Sequence, residues 1–154
     1  MAKTLLAGLP VILICLILEA IFVAWCMRYY ARFVHLRQGS RSLRIDILLL
    51  SVVMLLTLVG NCVQMVIWAA LFMTLGEFDS YAPALYHSAV NFTTLGYGDI
   101  VMSERWRLLG PIEAANGILM FGVSTALMTA AVTDVLKSSH ARHEKQANSG
   151  LAEK

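Results

Sequence analysis

The sequence predicts an all-α membrane protein with three membrane-spanning helices and a shorter re-entrant helix. Three observations lead there. The 154 residues are 58% hydrophobic and only 14% charged, against about 25% charged in an ordinary soluble domain. Three apolar runs, Leu5 to Met27, Ile47 to Leu75 and Leu108 to Leu136, can each cross a hydrocarbon core of about 30 Å as a helix rising about 1.5 Å per residue. A fourth, Ala82 to Leu95, is too short to do so.

The first run carries one charge, Glu19. Its length exceeds the apolar core of a signal peptide, about 7–15 residues, and no small-x-small cleavage pattern precedes the arginines, which favours an uncleaved helix over a cleaved leader. A mid-span carboxyl is costly unless protonated or paired. Depth counted from the cytoplasmic end sets Thr57 and Thr125 at its level. A structural hydrogen bond and a proton-sensitive contact between this helix and the others both fit.

Arg28, Arg32, Arg37, Arg41 and Arg44 follow with no acidic residue among them. The bracketing apolar spans argue against a nucleic-acid partner. The arginines lie outside the apolar runs, unlike the residues of a voltage sensor. They set a cytoplasmic topology and, with Tyr29, Tyr30 and Phe33, suit anionic lipid.

The second run, at 29 residues, should tilt or project beyond the bilayer. Asn61, Gln64 and Trp68 share one of its faces and should pack against protein. The third run is dense in small residues, Gly110, Gly117, Gly122, Ser124, Thr125, Thr129 and Thr133, which suits a close helix contact or a water-lined surface. The tail from Lys137 to Lys154 is polar and is expected to fray and then lose order. Cys15, Cys26 and Cys62 all sit in apolar runs, an arrangement that fits neither a disulfide framework nor a metal site. No paired carboxylates or Ser/His/Asp set share a pocket, so an enzyme is not expected, and no cofactor is implied.

Between the second and third spans, Pro83 suits a first helical turn, and the helix runs into Thr93-Thr94-Leu95-Gly96-Tyr97-Gly98-Asp99. A short helix followed by a glycine-rich turn reads as a re-entrant loop, tolerated at membrane depth only where protein or water surrounds it. Lys137, Arg142 and Lys145 should be cytoplasmic, like the arginine cluster. With three spans, the N-terminus and the loop from Gly76 to Arg107 then lie outside. Selecting a bare cation requires backbone carbonyls that replace its water. Successive carbonyls can all face one axis only if the backbone alternates between conformations that glycine adopts cheaply.

Tyr86-His87-Ser88-Ala89-Val90-Asn91-Phe92-Thr93-Thr94-Leu95-Gly96-Tyr97-Gly98-Asp99 resembles the pore helix and selectivity filter of tetrameric potassium channels. Ile47 to Leu136 as a whole resembles the small bacterial channels of the two-helix pore type. The resemblance implies that the carbonyls of Thr94, Leu95, Gly96 and Tyr97 bind K+, with the Thr94 hydroxyl as innermost ligand. It further implies that Gly98 closes the turn and Asp99 lies at the outer mouth. Leu95 stands where valine is common, Tyr86-His87 where relatives often carry two tryptophans, and Val90 where some place an acid.

Three parts follow: residues 1–46 as a peripheral helix and basic linker, 47–136 as the pore domain and 137–154 as a cytoplasmic tail. The expected assembly is a homotetramer in a bacterial inner membrane, because one loop cannot enclose an axis. A non-conducting membrane subunit that keeps the loop for assembly is the rival reading. Glu113 and His87 are candidates to support the filter. Glu113 serves equally well as a contact between subunits, and His87 as a packed, satisfied imidazole. Gly117 and Gly122 are candidate bends of the inner helix, with Gly117 favoured and close packing its alternative. Ser124, Thr125 and Thr129 are expected to line the cavity.

Overall fold

Four helices order the chain in the computed structural model, which describes residues 2–36 and 43–152 and places side chains at 3–32 and 44–137. They are α1 (Ala2–Leu36), α2 (Leu43–Thr74), α3 (Tyr81–Phe92) and α4 (Leu109–Ala152). No strand occurs among the described residues. Residues 3–32, 44–74 and 109–137 are long and apolar enough to cross a membrane.

In α1, Thr4, Gly8, Val11, Cys15 and Glu19 are buried at spacings of three and four, and Cys26 continues the stripe. That is one helical face, and it packs on α2 and α4. Leu6, Leu13, Ile17 and Ile21 are exposed on the rest of the helix, as lipid contact requires. On α2 the buried face is Asp46, Val53, Thr57, Asn61, Gln64, Trp68 and Phe72. Asn61, Gln64 and Trp68 are therefore packed against protein, as their spacing predicts.

The larger core cluster surrounds the short helix. Trp68 and Phe72 of α2, Phe92 of α3, Leu109 and Met120 of α4 and Cys15 of α1 are all fully buried there. A smaller cluster, Cys26, Val53 and Leu127, joins the other ends of the three long helices. Nearby, the Tyr30 hydroxyl donates to Asp134 Oδ2 at 2.9 Å and fastens α1 to α4.

Several expectations change. α1 continues through Arg28 and Arg32, so part of the basic segment is helical, while Arg37 and Arg41 lie outside the described residues. α2 begins at Leu43, four residues before the apolar run. Glu19 is paired with neither Thr57 nor Thr125; Gln64 Nε2 donates to its Oε2 at 2.9 Å. Counting depth assumes helices in register, and α2 is displaced along its axis by more than a turn. The tail, expected to lose order, remains helical to Ala152. Ala, Lys, Glu, Gln and Arg favour helix, and extending an existing helix needs no new nucleus. Cys15 and Cys26 are buried, Cys62 is exposed, and all three thiols are free.

Candidate functional site: the re-entrant loop

The loop begins where α2 is capped. Gly76, at φ 73°, lets its own N–H reach the Met73 carbonyl at 3.0 Å and the Glu77 N–H reach that of Phe72 at 3.2 Å, a glycine-dependent helix stop. The Glu77 carboxylate then accepts from the backbone N–H and the hydroxyl of Ser103, both at 2.7 Å. This clasp ties the start of the loop to its end. Ser80 is extended, and Pro83 falls in the first turn of α3, where its missing N–H costs nothing.

At the end of α3 the chain doubles back on itself. Thr94 N–H donates to Asn91 O at 2.8 Å, and the Val90 carbonyl accepts from both Leu95 N–H, at 2.9 Å, and Gly96 N–H, at 3.3 Å. Thr94, Gly96 and Gly98 have φ of 60°, 58° and 74°. Every second residue is thus left-handed, the alternation that turns successive carbonyls the same way. Glycine adopts it freely, whereas Thr94 bears a cost of about 1–2 kcal/mol. A Cβ on Gly96 or Gly98 would meet nothing within 4 Å, so backbone conformation, not crowding, calls for glycine. Thr93 to Asp99 are all exposed in the single chain.

Beyond the turn, α3 holds the returning limb. Tyr86 Oη donates to Asp99 Oδ2 at 2.7 Å, and Ile100 N–H donates to Asp99 Oδ1 at 3.0 Å. The hydrogen bond from Tyr86 keeps the Asp99 carboxyl below its usual range and pushes the phenol up. His87 Nδ1 lies 3.0 Å from Ile100 O and its Nε2 lies 2.9 Å from Asn91 Nδ2. A carbonyl only accepts, so Nδ1 carries the hydrogen and Nε2 receives the amide's. Phe72 and Phe78 pack on the ring, at centroid distances of 5.5 and 5.3 Å. Burial pushes the His87 imidazole below its ordinary pKa.

Behind the loop, Ser88 and Glu113 are fully buried. Ser88 Oγ lies 2.5 Å from Glu113 Oε1 and 2.8 Å from the Met65 carbonyl of α2. Gly117 packs against the end of α3, where an added Cβ would overlap the Phe92 carbonyl oxygen. That is the close-packing role weighed against a bend. Gly122 has nothing within 4 Å of such a Cβ. Thr125 and Thr129 are exposed, with hydroxyls donating to Phe121 O and Thr125 O of their own helix. Ser124 turns toward α2, 3.4 Å from Asn61 Nδ2.

Sequence reasoning missed Asn91, Ser88 and the Glu77–Ser103 clasp. Asn91 stands four residues after His87 on a helix, a spacing that could have paired them. Nothing in the sequence relates Glu77 to Ser103.

A helix, a doubled-back turn of alternating backbone and two flanking membrane helices form the unit built by residues 47–134, and an ion channel family model matches those same residues. The chain belongs to this ion channel family. No curated protein and no solved structure matches it. The family is one of channels and not of enzymes, and with three span-length helices the channel is an integral membrane protein.

Proposed function

We propose that this channel conducts K+ selectively, through a filter made by Thr94, Leu95, Gly96, Tyr97 and Gly98 of four identical chains. The observation that carries the reading is the left-handed backbone at Thr94, Gly96 and Gly98. Carbonyls turned one way by that alternation can replace the hydration shell of a cation. In a single chain the residues that bear them are exposed, and a closed ring of four copies would turn that open side into an axis. Leu95 and Tyr97 are more than half exposed, and Val101 and Ile118 offer further apolar surface to neighbouring copies. Leu95 contributes its carbonyl, so its difference from valine does not alter the ligand set.

In this assembly α2 and α4 form the outer and inner walls, and α1 packs outside them. Thr125 and Thr129 line the cavity, and Asp99 sits at the outer mouth. The N-terminus lies outside a bacterial inner membrane and the C-terminus in the cytoplasm, with Arg28, Arg32 and Arg44 placed to meet anionic lipid.

Purified protein in K+-loaded liposomes tests the reading. Potassium efflux that is many-fold faster than sodium efflux is expected. Absence of flux from correctly inserted tetramers would favour a non-conducting subunit. In a background stripped of native cysteines, Ser80→Cys should react with an impermeant thiol reagent outside intact cells, and Lys137→Cys should not.

A further inference from the structure

The hydrogen bonds around Ser88 contain one acceptor too many. Its hydroxyl has a single hydrogen, yet it lies 2.8 Å from the Met65 carbonyl and 2.5 Å from Glu113 Oε1. If Glu113 were a carboxylate, one of these contacts would press lone pair against lone pair in a fully buried place. A hydrogen shared between both acceptors would leave each bond long and bent, whereas both distances are short. The count closes when Glu113 brings a hydrogen of its own. Its carboxylic acid donates to Ser88 Oγ, and the Ser88 hydroxyl donates onward to Met65 O.

The surroundings agree. No ion pair reaches Glu113 among the described residues, and an unpaired carboxylate that is fully buried would be costly. The Asn91 amide also interacts with the carboxyl, yet the other oxygen makes no hydrogen bond of ordinary geometry, a state that a neutral acid tolerates far better than an anion.

We infer that Glu113 is a positioning residue that holds the filter by donating its carboxylic hydrogen to Ser88, clamping α3 between α4 and α2. The inference rests on the filter reading above. Three elements meet in a chain of two bonds, from Glu113 of α4 through Ser88 of α3 to the Met65 carbonyl of α2. Ser88 lies six residues before Thr94. On the same short helix, His87 and Asn91 hold the returning limb at Ile100. The helix that orients the ion ligands is therefore fixed on its hidden face by one clamp and grips the far limb with another. A carboxamide at position 113 keeps a donor, through its N–H; a methyl group does not.

The test uses the full-length tetramer in liposomes, with Glu113→Gln, Glu113→Ala and Ser88→Ala. The infrared spectrum of wild type minus Glu113→Gln at pH 7 should contain the carbonyl stretch of a protonated carboxylic acid. Glu113→Gln should keep the wild-type K+ to Na+ flux ratio, while Glu113→Ala and Ser88→Ala should each lower it by about tenfold or more, as loss of a buried hydrogen bond allows. The double alanine variant should be no worse than either single one, because one clamp is broken either way. A carboxylate stretch in place of the acid band would overturn the inference. So would a Glu113→Gln variant as unselective as Glu113→Ala, or an alanine variant with the wild-type ratio. If wild type itself fails to select K+, the filter reading falls, and the infrared band still decides who carries the hydrogen.

Discussion

Residues 81–99 present two faces built on opposite terms. On the hidden face Ser88, His87 and Asn91 bond to three different elements, and Phe92 is fully buried beneath Gly117. On the open face Thr93 to Asp99 are exposed, and the backbone sits in conformations that only glycine adopts at no cost. The contrast teaches a division of labour. A segment that must offer its own carbonyls to a passing ion cannot use them to hold itself in place, so its rigidity is supplied from behind, by side chains.

Four changes would break or sharpen that contrast. The largest effect is expected from Gly117→Ala. Its Cβ would overlap the Phe92 carbonyl oxygen and lie 2.9 Å from the carbonyl carbon, with backbone rather than a yielding side chain in the way. Loss of the proposed K+ selectivity, or of the proposed tetramer on a sizing column, should follow. Gly122→Ala meets nothing and should preserve both. Equal behaviour of the two variants would remove the hidden face from the account.

Gly98→Ala attacks the open face instead. At φ 74° the substitution costs about 1–2 kcal/mol in each chain, with no steric collision to confuse the reading. Bilayer recordings should show the preference for K+ over Na+ reduced or abolished, with tetramers still assembled.

His87 gives a smaller, pH-dependent effect. Burial lowers its pKa below the ordinary 6.5, so the folded channel keeps the imidazole neutral while the unfolded chain protonates first. Protons are then bound more by the unfolded state, and stability rises with pH. The contribution of His87 is complete above about pH 6.5 and is lost as acid is added below it. Thermal melts of the purified protein should show this slope, and His87→Gln should flatten it. Asp99 and Glu77, which oppose the shift, remain in the variant.

Tyr86→Phe should do least. It removes the donor to Asp99 at the exposed mouth, and the Asp99 carboxyl should rise toward its ordinary pKa, because that hydrogen bond is the main cause of its depression. A modest upward shift in the acid sensitivity of flux is the expected sign. A change in ion selectivity as large as that of Gly98→Ala would mean that the rim, and not the turn, does the selecting.

Much of this was legible in the residues. Run length and charge gave the three spans, and Thr94 to Asp99 marked the loop, because glycine at alternate positions is a backbone requirement written directly in sequence. What stayed hidden depends on pairs far apart in the chain. Glu113 could be named as a candidate support, but its bond to Ser88 needs the crossing of α3 and α4. The residues favoured a bend at Gly117 over a close contact, and Phe92 placed against it shows the close contact. The partner of Glu19 was misjudged because the axial offset of two helices is set by packing, which no count along either one contains.

The direction of α3 has its own consequence. Its twelve residues end at Phe92, directly before the loop, so the carbonyl end of the helix points toward the inner entrance of the proposed path. Aligned peptide dipoles place about half a negative charge at such an end, and four chains around one axis would bring together roughly two. An arriving cation would feel this attraction before it touched a ligand. The field comes from main chain, so acid cannot discharge it, and no single side-chain replacement can delete it.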